Sequence, residues 1–416
     1  MVKKRFYVMR ILILSQWFDP EPTFKGLLFA KELAKRGHEV EVLTGFPNYP
    51  GGKLYDGYKI EFFQRETVND IPVIRVPLYP SHDSNSTNRI LNYVSFALSA
   101  SLPGSFLVRR PEVVYVYHPP ATIGLPALFL HLLYRAPFVY DIQDLWPDTL
   151  MASGMLDNSV ALWITGKWCR FIYSQAAKIV VLSPGFREIL IRRGVPEHKV
   201  EVIYNWCEDE KIQNTGLDKT LARELGMAGR FNVVFAGTMG KAQLLDAVLE
   251  AALLLRDKLP KVQFVFVGGG VDVDRLKEKA IEQGLTNVRF LSRRPPSKIG
   301  DILSLSDVLL VHLKDDPLFR ITIPSKTQAY MATGRPILMG VKGDAAALVK
   351  EAGAGLTCTP EDPKDIAGTV EKFYNMSQQD RALMGYNGKM FYEHELSLRI
   401  GAQRFEEIFQ SVNISS

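Results

Sequence analysis

Short apolar runs alternate with longer segments whose apolar residues recur every three or four positions, and this alternation continues along most of the chain. Residues 11–14 are apolar throughout, as a buried strand requires. From about residue 24 to 36, Leu27, Phe29, Ala30, Leu33 and Ala34 fall on one helical face, and Gly37 stands where a left-handed terminal residue is wanted. Residues 39–43 read as a second strand. Strand, helix and strand in that order predict a parallel sheet with right-handed crossovers. Further strands are expected at 73–76, 113–117, 138–141, 179–182 and 200–203.

A polar stretch at 208–218 reads as a linker, after which the alternation restarts. Strands are expected at 232–236, 262–267, 288–291, 308–311 and 336–339. Helices are expected at 244–259, 273–283, 297–305, 325–333 and 344–351, and the tail at 363–409 is nearly all helical. The fold class is therefore α/β, with two doubly wound, Rossmann-like domains at 1–205 and 206–390 and a terminal segment at 391–416. Ligands of such sheets bind outside the carboxyl ends of the strands, so chemistry is expected in loops facing a cleft between the domains.

With 47% hydrophobic and 23% charged residues the chain is of ordinary globular composition, which excludes disorder. A net charge of +5 suits an anionic small ligand or an anionic membrane surface better than extended nucleic acid. Cys169, Cys207 and Cys358 match neither a disulfide framework nor a metal site, so a reducing cytoplasm is expected. Lys3, Lys4 and Arg5 before an apolar run imitate a signal peptide, but the run lacks a small-residue cleavage site and continues as the first strand. Residues 91–108 are apolar, interrupted by Pro103 and Gly104, and flanked by Arg89, Arg109 and Arg110. They read either as a helix lying on a bilayer or as a buried connection.

The second domain opens with a strand ending at Gly237, followed by Thr238, Met239, Gly240, Lys241, Ala242 and Gln243. Glycine there lets backbone amides approach a phosphate, and Lys241 adds a point charge at the start of the next helix. The same glycines also make any tight turn. Gly268, Gly269 and Gly270 can bring backbone close to a base or ribose, and Arg293 can hold a base edge or phosphate. Asp272 and Asp274 are better explained as helix-start residues than as a metal site. Ser325 can cap the helix that Lys326 opens, and a cation in a first turn opposes the dipole and so suggests an anionic partner.

In the first domain, Gly26 at the first strand-helix junction allows close approach of a sugar or phosphate. His118 ends a buried strand, where it can serve a substrate hydroxyl or sit satisfied in the core. Asp141, Asp144 and Trp146 leave another strand end and are candidates for an acceptor sugar, the tryptophan by stacking; capping and core filling are the alternative.

Taken together, these segments resemble the family 4 glycosyltransferases of the GT-B fold. The resemblance rests on Gly37 to Val40, His118-Pro119-Pro120, Asp144-Leu145-Trp146-Pro147, Ser183-Pro184 with Asn205, Ala236-Gly237, and Pro324-Ser325-Lys326 leading to the run Met331 to Pro336. Within that family the chain is most similar to the WbuB-type enzymes of bacterial surface-polysaccharide (O-antigen or capsule) biosynthesis. The resemblance implies a retaining transfer of a sugar, such as an N-acetylated deoxyamino sugar, from a nucleotide-sugar donor, with UDP as the carrier, to a polyprenyl-linked glycan acceptor. It places the enzyme in the cytoplasm, peripheral to the inner face of the cell membrane, with no nucleic-acid partner. It implies a donor site with Gly237, Thr238, Gly240, Gln243, Gly268 to Gly270, Arg293 and Ser325, catalytic roles for His118, Lys241 and Lys326, and no metal cofactor. It also implies that the last helix crosses back onto the first domain.

The chain departs from the family where a pair of glutamates is usual: Ile321 and Ala329 stand there, leaving Arg320, Thr322 or Ser325 to serve the ribose. Leu244 stands where a glycine is frequent. Two further readings keep the fold, a nucleotide-sugar epimerase and a non-catalytic nucleotide-sugar-binding protein. A nicotinamide dehydrogenase lacks its glycine fingerprint.

Overall fold

The computed structural model describes residues 8–82, 86–152, 155–156, 158–208 and 218–413. Lys3, Lys4 and Arg5 lie outside the described residues, as does nearly all of the expected linker. The chain divides into two compact units: Met1–Leu182 with Phe186–Ile203 and Gly401–Ser416, and Ser183–Gly185 with Tyr204–Ile400.

The first unit is built on an eight-stranded sheet of β1 (Arg10–Leu14), β2 (Glu39–Gly45), β3 (Gln64–Val68), β4 (Ile71–Val76), β5 (Val113–His118), β6 (Phe138–Ile142), β7 (Lys178–Val181) and β8 (Val200–Val202). The order is β3-β4-β2-β1-β5-β6-β7-β8, parallel except for the edge strand β3, which runs antiparallel to β4. The central strands are apolar on both faces because helices cover both. Chain direction across the sheet reverses between β1 and β5, which puts the switch point at the loops after Leu14 and His118.

The helices of this unit include α1 (Leu27–Lys35), α2 (Ser86–Ser99), α3 (Gly124–Tyr134) and α4 (Ser159–Gln175). The expected apolar segment is α2, prolonged through a π turn at Ala100–Gly104 into Ser105–Leu107. Its inner face, with Tyr93, Phe96, Ala97 and Ala100, is buried. Its outer face exposes Ile90, Val94, Leu98, Leu102 and Phe106 at intervals of four. Four-residue steps drift around an α-helix, and the wider π turn counters that drift. The stretch 86–107 is long and apolar enough to cross a bilayer, and 44% of its most apolar 18-residue window is buried.

The C-terminal helix Leu398–Asn413 belongs to the first unit from Gly401 onward. Phe405 packs on Phe29 and Tyr115 at ring distances of 5.1 and 5.3 Å, and the Arg36 side chain binds Glu406 at 2.7 Å. The preceding π turn Tyr392–Leu396 stays with the second unit.

The second unit holds a six-stranded, wholly parallel sheet of β9 (Phe231–Thr238), β10 (Val262–Gly269), β11 (Val288–Ser292), β12 (Val308–His312), β13 (Ile337–Gly340) and β14 (Gly355–Thr357), in the order β11-β10-β9-β12-β13-β14. Its helices include α5 (Asp246–Arg256), α6 (Val273–Glu282), α7 (Pro296–Leu303) and α8 (Lys326–Ala332). The switch point lies between β9 and β12, where β9 ends at Gly237 and Thr238.

Candidate functional site

At the carboxyl ends of β9 and β10 the second unit encloses a cavity of about 490 Å³, lined by Gly237, Thr238, Gly268 to Gly270, Arg293, Arg294, Lys326, Ala329 and Tyr330, among others. That volume suits a nucleotide-sized ligand. Three cations and no acidic side chain line it, so the ligand it favours is anionic.

Backbone packing shapes this cavity. Gly237 and Gly268 face each other across the sheet, and a Cβ on Gly268 would lie 2.0 Å from the Gly237 carbonyl oxygen. A Cβ on Gly270 would lie 2.1 Å from the Met239 carbonyl oxygen. Both residues have φ near +145°, which favours glycine on its own account. Close packing of the two strand-end loops therefore dictates two of the three glycines. Gly269 alone meets open space, so only it matches the expected approach to a base or ribose.

The turn after Gly237 is fixed from within. Gln243 accepts a hydrogen bond from the Gly240 amide through Oε1 at 3.0 Å, so its side chain holds the loop and does not line the cavity. His312, at the end of β12, has Nδ1 2.7 Å from the Gln243 carbonyl and accepts from the Glu361 amide at Nε2. Those partners require the neutral Nδ1-H tautomer, and burial lowers the His312 pKa accordingly. Leu244 adopts φ +42°, a left-handed conformation that costs a side-chain residue roughly 1–2 kcal/mol.

Lys326 is the electrostatic centre of the cavity. Its ammonium lies 3.7 Å from the centroid of the Phe235 ring, and its buried Nζ has no hydrogen-bond partner among the described residues. Removal from water pushes its pKa down to about 7. The absent Cβ of Gly237 leaves the room it occupies, since a methyl there would lie 3.2 Å from Nζ. A buried, unpaired cation is unfavourable in the empty site and becomes favourable when an anion arrives.

The structure gathers Gly237, Thr238, Gly268 to Gly270, Arg293 and Lys326 around one cavity. Lys241, Gly240 and Ser325 lie off its lining; Lys241 and Ser325 are exposed, and Ser325 makes no capping bond to α8. Ala329 does line it, so the family's glutamate position faces the cavity here with a methyl group. Tyr330 fastens the wall, its hydroxyl accepting from the Ala236 amide at 2.8 Å. Asp272 and Asp274 lie beside Arg275 and Lys277, and among the described residues no group of three or more potential ligands is placed to hold a metal.

In the first unit the strand-end residues divide. Asp141 is fully buried, its carboxylate bound by Lys25 at 2.7 Å, by the Tyr115 hydroxyl at 2.6 Å and by Gln143 at 2.8 Å. With both oxygens bonded from within and no exposed surface, it ties the loop before α1 to the sheet and is not available to an acceptor, which corrects the expectation. Gly26 is likewise structural. A Cβ there would strike Thr23 Oγ1 at 2.2 Å and Asp19 Oδ2 at 2.4 Å, and that Asp19 oxygen accepts from the Leu27 amide at 2.7 Å, starting α1. The space expected for a sugar or phosphate is filled by those two side chains.

His118 is wholly buried between the rings of Tyr140 and Trp146, at 5.5 and 5.6 Å, and neither nitrogen has a hydrogen-bond partner among the described residues. Burial pulls its pKa down to about 3, so the imidazole is neutral. Asp144 is mostly buried with its pKa raised by desolvation. Near it, rings from four separate segments form a chain: Tyr49 to Trp17 at 4.9 Å, Trp17 to Tyr93 at 6.3 Å and Tyr93 to Trp146 at 6.2 Å. Glu21 closes the neighbouring loops by accepting from the amides of Phe18, Asn48 and Tyr49, while burial raises its pKa to about 7. Sequence reasoning missed Trp17, Tyr49, Tyr93 and Glu21. The available sign was their position: Trp17 and Tyr49 follow directly on β1 and β2.

Residues 27–206 match the glycosyl transferase 4-like domain, and residues 220–391 match the glycosyl transferases group 1 domain. The probable glycosyltransferase WbjE of Pseudomonas aeruginosa is 26% identical over 331 residues, 77% of this chain and 81% of that protein. The putative colanic acid biosynthesis glycosyl transferase WcaI of Escherichia coli K12 is 28% identical over 344 residues, 78% and 82% of the two chains. Among solved structures, Anabaena HepE in complex with UDP-glucose superposes with a TM-score of 0.69 over 97% of this chain and all of its own, at 17% identity.

Proposed function

Because this chain belongs to the group 1 glycosyltransferases of family 4, retaining enzymes of the GT-B fold that draw on a nucleotide sugar, we propose that its donor is a UDP-sugar and its acceptor a polyprenyl-linked glycan. The observation that carries the donor reading is the Lys326 ammonium, buried and unpaired in a glycine-walled cavity that it shares with two arginines. HepE, of the same fold, is described with UDP-glucose, which supports uridine as the base.

Transfer breaks the bond between the anomeric carbon and the β-phosphate oxygen, leaving an added negative charge on the nucleoside diphosphate. Lys326 and Arg293 stand to meet that charge, and stabilising it where it develops lowers the barrier. The acceptor hydroxyl forms the new bond to the anomeric carbon on the same face, and its proton leaves with the departing phosphate. Trp17, Tyr49 and Trp146 offer ring faces and edges suited to a sugar, with the Asp144 carboxylate near them for its hydroxyls. We assign the acceptor to that side.

The acceptor class is supported by WcaI, named for colanic acid biosynthesis, and by the apolar outer face of 86–107. With a nucleotide-sugar donor and a lipid-linked acceptor, we place this enzyme at the cytoplasmic face of the membrane. The transferred sugar we propose is an N-acetylated deoxyamino sugar.

Incubation with labelled UDP-sugars, with and without a polyprenyl diphosphate-linked saccharide, tests the proposal. The expected result is label in the lipid phase with the donor's anomeric configuration, only when acceptor is present. Conversion of the donor to its epimer without acceptor contradicts it, as does binding of UDP-sugar with no turnover.

A further inference from the structure

The first unit has a cavity of its own, of about 260 Å³. Its lining includes Trp146, Asp148, Arg170, Tyr173 and Arg193. Arg193 holds both oxygens of Asp148 at 2.7 Å, whereas Arg170 is exposed and makes no ion pair among the described residues. The cavity therefore carries one uncompensated positive charge. At its wall the fully buried Tyr173 hydroxyl meets no oxygen or nitrogen partner, only the Cys169 thiol. A thiol sulfur is only a weak acceptor for a buried hydroxyl, and an anionic oxygen would satisfy it better.

The outer surface of the same helix is apolar. Along α4, Val160, Trp163, Ile164 and Phe171 are each about half exposed or more, and Lys167 lies over the Trp163 ring at 5.4 Å. Residues 169, 170 and 173 form the cavity side of the helix and residues 160, 163, 164, 167 and 171 the outer side. Arg170 stands two turns from Trp163 on almost the same line, at the border between them. A site that takes an anion at one end and continues as an exposed hydrocarbon-like stripe has the chemistry of a lipid phosphate. Helix α3 packs against both α2 and α4, and Leu98, Leu102, Phe106 and Leu132 are exposed on or next to those neighbours.

We propose that the cavity under α4 seats the phosphate of a hydrocarbon-tailed phosphate, with Arg170 and the Tyr173 hydroxyl as its contacts and the tail lying along Trp163 and Ile164. This rests on the reading of the acceptor as lipid-linked, and supplies the part of the protein that would hold the acceptor's lipid end. Arg193 is a positioning residue here, held by Asp148.

Calorimetric titration of the full chain, with UDP present in excess to fill the other cavity, tests the seat with two probes: farnesyl diphosphate below its micellar concentration, and inorganic pyrophosphate. Farnesyl diphosphate is expected to bind at least tenfold more tightly than pyrophosphate. R170A should weaken it about tenfold and Y173F about threefold. W163S should weaken farnesyl diphosphate and leave pyrophosphate unchanged, a split that a merely structural role for the tryptophan would not give. Equal affinity for the two probes, or R170A and Y173F both binding as the wild type does, overturns the proposal. Transfer to a lipid-linked acceptor is measured on the same samples. Transfer by wild type with no effect of R170A on farnesyl diphosphate binding discards the seat alone. A seat that responds to R170A in a protein that transfers nothing to lipid discards the acceptor reading alone.

Discussion

The Lys326 ammonium lies 3.7 Å from the centre of the Phe235 ring and reaches no hydrogen-bond acceptor among the described residues. An aromatic face attracts a cation but does not replace its hydration, and so the amine gives up its proton near neutrality. Nucleoside diphosphate brings the missing negative charge and raises that pKa. Above pH 7, binding of UDP should therefore take up a proton, and affinity should fall as pH rises toward 9. Titration at pH 8 in buffers of different ionisation enthalpy should show the uptake in wild type and lose it in Lys326→Met, with affinity lower by about 10- to 100-fold, as for a lost charge-assisted bond.

The same residue shapes the stability of the ligand-free protein. In the unfolded chain a lysine keeps its proton up to about pH 10.4, whereas the folded chain has released it above about pH 7. Between those values the unfolded state binds more protons, so stability rises with pH across that window. Lys326→Met should flatten this slope and raise the melting temperature at pH 7, while transfer is lost. An unchanged slope in denaturant titrations from pH 7 to 9 would show that Lys326 is protonated in the folded protein.

Lys25 and Asp141 form an ion pair with both side chains fully buried. Removing one partner leaves the other charge stranded, so Lys25→Met should cost about 3–5 kcal/mol in urea unfolding. The double variant Lys25→Met, Asp141→Leu should recover more than half of that loss. Additive losses would mean the pair is not coupled as the 2.7 Å contact requires.

The three consecutive glycines separate cleanly. Gly268→Ala forces a Cβ onto the Gly237 carbonyl oxygen and should lower the melting temperature and abolish UDP binding together. Gly269→Ala points into open space, and its stability should stay within about 0.5 kcal/mol of wild type.

The outer face of 86–107, bordered by the exposed Arg109 and Arg110, should bind anionic vesicles. Serine at Leu98, Leu102 and Phe106 together should abolish co-sedimentation with phosphatidylglycerol vesicles, and raised salt should weaken it in wild type. Co-sedimentation by the triple variant equal to wild type would show that this face is not the membrane contact.

The alternating pattern made both sheets legible, because most positions of a buried parallel strand are apolar. Strand β3 was not legible: Gln64 to Val68 is a half-exposed edge whose polar residues resemble a loop. Strand β14, three residues long, gave too short a run. The glycines and cations of the donor cavity were visible as residue types at strand ends, but their separate duties were not. Nothing near Asp141 in the chain announces Lys25, which lies 116 residues away, and nothing near Lys326 announces Phe235. Burial of an ionisable group is decided by such distant partners, and a single sequence does not display them.

Capture of UDP by Lys326 and its neighbours in the second unit, without a metal, underlies every step proposed for transfer. It is tested by calorimetric titration with UDP, GDP and NAD, each with and without a chelator. UDP binding should survive chelation, exceed that of GDP and NAD, and weaken about 10- to 100-fold in Lys326→Met. UDP binding that disappears with the chelator, or that Lys326→Met leaves unchanged, would refute metal-free capture through this lysine.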